Sequence, residues 1–123
     1  MTASERALEL ARIAARAASE KKAGDIIALD VSERLVLTDV FLVVSGANER
    51  QVSAIVDEIE EKLAEAGVRA VRREGVGQAR WVLLDFTDIV VHVQHEQDRE
   101  FYALERLWRD CPVVPLPVEA TTT

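Results

Sequence analysis

A chain of 123 residues with 49% hydrophobic and 30% charged side chains is long enough for one self-supporting domain and too apolar to be disordered. Its 15 basic and 22 acidic residues leave a net charge of −7, which disfavours a nucleic-acid backbone as partner and suits a basic protein. The single cysteine, Cys111, excludes an internal disulfide and a cysteine-based zinc site, in keeping with a reducing compartment.

Met1 to Lys22 interleaves Glu5, Glu9 and Glu20 with Arg6, Arg12 and Arg16, unlike a signal or transit peptide, so a cytoplasmic location is expected. From Ser4 to Lys22 the alanines, with Leu8 and Ile13, recur at helical spacing. Thr2 and Glu5 have the spacing of a capping box, and Gly24 is the expected stop. Asp25 to Val31 and Val40 to Val44 read as strands, the second closed by Ser45-Gly46 and apolar at successive positions, as in a sheet covered by helices. Asn48 and Gln51 cap a helix whose Val52, Ile55, Val56, Ile59 and Leu63 form one stripe and which Gly67 ends; its acidic outer face reads as solvated. Val68 to Arg73 is an expected strand and Glu74 to Gln78 a glycine-punctuated turn. Trp81 to Phe86 and Ile89 to Gln94 read as a hairpin about Thr87-Asp88, and a last helix is expected from Asp98 to Arg109, with Phe101, Leu104, Leu107 and Trp108 apolar. The expectation is one α/β domain over residues 1–110, with a mixed sheet of about five strands flanked by helices. A loose proline-containing tail over 111–123 is expected to follow.

Few residues suggest chemistry. Asp85 and Asp88 flank the hairpin turn, where aspartate is favoured for bonding nearby backbone donors, although paired carboxylates also hold metals. His92 and His95 lack a partner at ligand spacing, and a buried, hydrogen-bonded imidazole is the reading for His92. Ser45-Gly46 precedes a helix start without the repeated glycines and lysine of a phosphate loop, and Cys111 has no base nearby in sequence. Neither a cofactor nor a metal is expected. Trp81 opens a strand beside a glycine turn, with Leu83 and Asp85 on its side; core packing and an interface anchor both fit it.

Asp25 to Val31, Thr38 to Gly46, Arg50-Gln51, Glu74-Gly75, Trp81 to Phe86 and Asp88 to Val93 make up a pattern in one order and spacing. Glu96, Arg99, Phe101-Tyr102, Leu104-Glu105 and Leu107-Trp108 continue it. It resembles the ribosomal silencing factor, or Iojap-like, family. The resemblance implies a nucleotidyltransferase-like fold without an established catalytic role. It also implies binding to ribosomal protein fourteen of the large subunit, exclusion of the small subunit, repression of translation and self-association as a homodimer. By the same resemblance the partner-binding surface maps onto Trp81, Leu83, Asp85 and Phe86, with Gln94 and His95 beside them. Phe86 lies opposite Trp81 by strand alternation, so it belongs either to the turn or to the core. The extension after Trp108 is set apart from the family's common core. The alternatives are a nucleotidyltransferase-like enzyme, against which Ser45-Gly46 and the spacing of Asp85 and Asp88 speak, and a generic acidic interaction domain.

Overall fold

The first helix, α1 (Glu5–Glu20), begins where the Ser4 hydroxyl oxygen accepts the Ala7 N–H, so the cap expected of Thr2 is Ser4 instead. The computed structural model describes residues 3–97 and 110–116. Two aspartates hold this helix start: the Ala3 N–H donates to Asp30 at 2.9 Å and the Ser4 N–H to Asp39 at 2.8 Å. Burial raises the Asp30 pKa, but bonds from Ser32 and Ala3 outweigh it and hold the carboxyl below its ordinary value.

α1 does not run to Gly24. Lys22 takes a left-handed conformation, φ 63°, while the Lys22 and Ala23 N–H groups bond back to the Ser19 and Ala18 carbonyls and close the last turn. The second helix, α2 (Glu49–Glu65), behaves as its sequence predicts. Asn48 caps it, its five apolar stripe residues are all buried, and Gly67 at φ 87° ends it with the same pair of back-bonds. Gln51 does more than cap: its side chain accepts the Ala47 N–H and donates to the Lys21 and Lys22 carbonyls, tying the start of α2 to the end of α1.

Five strands form one mixed sheet: β1 (Gly24–Asp30), β2 (Val40–Gly46), β3 (Arg72–Glu74), β4 (Trp81–Asp85) and β5 (Ile89–His95). Their order across the sheet is β1-β2-β5-β4-β3, with β2 and β5 parallel and every other pair antiparallel. The mixed α/β sheet expected from the sequence is therefore present. β3 is shorter than the expected Val68–Arg73 and ends one residue later: Arg72 pairs with Asp85, the last residue of β4, and the Val71 N–H makes one further bond to the Asp85 carbonyl, beyond which β4 offers no partner. The helices cover one side of the sheet. There Leu42, Val44, Val82, Leu84, Val91 and Val93 pack with the α2 stripe and with alanines of α1, whose small side chains let that helix lie close.

Where the sequence suggests a loose tail from Cys111, residues 112–114 run along β1: the Asp30 N–H donates to the Pro112 carbonyl and the Val114 N–H to that of Ala28. The expected helix from Asp98 to Arg109 lies outside the described residues. Among the described residues no helix is long and apolar enough to cross a membrane.

Candidate functional site

Strand pairing arranges the other side of the sheet in three transverse rows, since residues directly opposite each other point the same way. Trp81, Gln94, Ser45 and Gly24 make one row; Leu83, His92, Val43 and Ile27 the next; Asp85, Val90, Phe41 and Leu29 the third. Exposure runs across the rows. Trp81, Leu83 and Asp85 on β4 are partly exposed, while Gln94, His92, Val90 and Val43 behind them are buried.

The sequence-derived residues thus separate. Trp81, Leu83 and Asp85 form a partly open stripe near the sheet margin, flanked on β3 by the exposed pair Arg72–Glu74, whose charged atoms lie 3.2 Å apart. Phe86 goes to the opposite side and is buried in the core with the helices, which settles its place between turn and core. Gln94 shares the row of Trp81 but is wholly buried, with neither amide atom bonded among the described residues. His95 points to the helix side and is buried; its N–H donates to the Arg80 carbonyl, and its Nδ1 accepts the Gln97 N–H at 3.2 Å.

His92 is the buried imidazole its sequence position suggests. The Trp81 indole N–H donates to its Nδ1 at 3.3 Å, and the Phe41 ring meets it edge-on with centroids 5.1 Å apart. Burial lowers its pKa from 6.5 to about 4, so the ring is neutral at physiological pH. With Nδ1 accepting, the proton resides on Nε2, which has no partner among the described residues.

The start of β4 is fixed from behind as well. Gly75 has φ 78°, and a Cβ there would fall 2.1 Å from the Trp81 carbonyl oxygen, so only glycine lets the turn pass under this strand. At the other end, Asp85 accepts the Thr87 N–H at 2.8 Å and thereby shapes the hairpin turn.

The remaining candidates have structural work. The Ser45 hydroxyl donates to the Gly24 carbonyl, and Gly46 packs against Val52 at the start of α2, so Ser45-Gly46 is a packing junction. Cys111 is buried with Leu29 and Val31. Among the described residues no group of three or more His, Cys, Asp or Glu side chains is placed to hold a metal ion. The bonds of Gln51, Asp30 and Asp39 to distant backbone leave little trace in the sequence. Their partners lie from about thirty residues to only a few residues away, and Gln51 alone carried a signal as a cap.

A family model described as "Ribosomal silencing factor during starvation" matches residues 4–123. The match continues through the proline-containing end, beyond the common core expected to close at Trp108. A Bacillus subtilis protein named Ribosomal silencing factor RsfS is 44% identical over 105 residues, 85% of this chain and 89% of its own. The chloroplastic protein Iojap of Zea mays is 33% identical over 108 residues, 85% of this chain and 46% of its own. Among solved structures, one of a Bacillus halodurans protein superposes with a TM-score of 0.78 at 42% identity, covering 88% of this chain and 98% of the other. One from Chromobacterium violaceum gives 0.79 at 38% identity, covering 91% and 92%.

Proposed function

The chain belongs to the ribosomal silencing factor family, and we propose that it docks on ribosomal protein fourteen of the large subunit, holds the small subunit off and so represses translation in the cytoplasm. The observation that carries this reading is the Trp81–Leu83–Asp85 stripe. An aromatic and an aliphatic side chain stand side by side, partly exposed and rimmed by charge, on a rigid sheet backed by two helices. That is the composition of a protein-docking centre: apolar anchors that lose water on contact, inside a polar rim. The net charge of −7 supports a basic protein as the partner.

In this reading Trp81, Leu83 and Asp85 make the contact. Gln94 and His95 support it from the neighbouring strand, and Phe86 braces it from the core. The mechanism is steric, and the chain performs no catalysis and needs no cofactor. Self-association as a homodimer is a second part of the proposal, which the molecular mass in solution at micromolar concentration decides.

The test is sedimentation with purified large and small subunits, followed by subunit joining monitored by light scattering. The expected result is co-sedimentation with large subunits alone and reduced joining at saturation. Unchanged joining would sink the reading. Trp81→Ala should lower affinity roughly thirtyfold, equivalent to about 2 kcal/mol, while melting near the wild-type temperature.

A further inference from the structure

We propose that His92 is a positioning residue for this docking surface: it fixes the Trp81 side chain by accepting the indole N–H and so sets partner affinity without touching the partner. The inference rests on the docking reading above and adds a residue to it.

Trp81 stands at the first position of β4 and is partly exposed. Its backbone is fixed by the close passage of Gly75, and its ring by His92 on the diagonal position of β5, with centroids 6.3 Å apart. His92 is itself immobile, buried between strands and wedged edge-on against Phe41. The choice of residue is informative. A valine or leucine would fill position 92 among Val43, Val90 and Leu83 without leaving a buried N–H unbonded, whereas histidine leaves Nε2 without a partner among the described residues. The bond from Trp81 to Nδ1 is what histidine supplies in exchange. Burial keeps the ring neutral, so this acceptor is present throughout the physiological range. A held side chain loses less freedom on docking than a mobile one, and the difference appears as affinity.

Three variants of the full chain separate this role from simple packing. His92→Asn keeps an acceptor near the place of Nδ1, His92→Gln puts its amide near the place of Nε2, and His92→Phe keeps a ring without an acceptor. The Trp81 indole N–H resonance, assigned with Trp81→Phe, reports the bond. Affinity for purified ribosomal protein fourteen reports its effect. The expected result is a displaced, faster-exchanging indole signal and roughly three- to tenfold weaker binding for His92→Gln and His92→Phe, with both largely restored in His92→Asn. In a Trp81→Phe background the same changes should have no further effect on affinity. Should His92→Phe fail to fold, the Asn and Gln pair makes the same comparison. An indole signal that moves with no change in affinity overturns the proposal, as does an indole that exchanges freely in the wild type. If the wild type binds no ribosomal protein, the docking reading fails; the indole spectra then show whether His92 holds Trp81, and its role in affinity falls with the reading.

Discussion

At the scale of single residues, the start of β4 concentrates the most sensitive positions. Gly75→Ala combines a left-handed backbone with a Cβ 2.1 Å from a carbonyl oxygen, so it should destabilise the fold by about 3 kcal/mol and displace Trp81. Gly77→Ala, with no atom within 4 Å of the added methyl, should change stability by less than about 0.5 kcal/mol, and thermal melting of the two variants checks both values. His92 makes a second, pH-resolved prediction. Its pKa is about 4 in the folded chain against 6.5 ordinarily, so below pH 6.5 the unfolded chain takes up a proton that the folded one refuses. The stability contributed by a neutral His92 is thus complete above pH 6.5 and is lost as pH falls towards 4. The loss amounts to about 3 kcal/mol over that window. Urea unfolding from pH 7.5 to 4 should show the wild type losing this increment relative to His92→Phe; equal pH slopes would contradict the buried neutral imidazole.

At the scale of elements, the two helices end with the same back-bonds but different residues at the left-handed position, Lys22 in α1 and Gly67 in α2. Lys22→Gly should therefore raise stability by about 0.5 to 1 kcal/mol, the relief of a side chain from that conformation less the entropy of a freer unfolded chain. A lower melting temperature for this variant would contradict that account. The same contrast explains what was legible in the sequence. α2 was readable because its cap, stripe and glycine are all local signals. The stop of α1 is less legible: Gly24 is the glycine expected there, but the left-handed residue is Lys22, which gives no sign of such a turn, and the length of β3 is set by where β4 ends. Within the site, alternation alone placed Trp81, Leu83 and Asp85 together and Phe86 opposite. The burial of Gln94 was not readable. It depends on the parallel pairing of β5 with β2, which brings together strands separated by α2, β3 and β4. The bond between Trp81 and His92 was hidden for a related reason, since it crosses diagonally between two strands whose register is known only once they pair.

At the scale of the whole molecule, charge governs how fast a partner is found more than how long it is kept. For a chain of net charge −7 meeting a basic protein, the association rate should fall about tenfold between 50 mM and 500 mM salt while the dissociation rate changes little. Surface plasmon resonance across that range tests this, and a salt-independent association rate would remove electrostatic attraction from the mechanism. The outline of the sheet bears on a different hazard. Every open sheet has two margins at which another copy could add a strand and start a fibre. Here the Ala28–Asp30 end of the β1 margin is occupied by Pro112 to Val114 of the same chain, and the β3 margin is three residues long, exposed and charged throughout as Arg72, Arg73 and Glu74. One border is covered at its Ala28–Asp30 end by the chain's own later residues, and the other is too short and too charged to recruit a neighbour. The sheet can therefore offer a face to a partner while its margins resist strand addition by another copy.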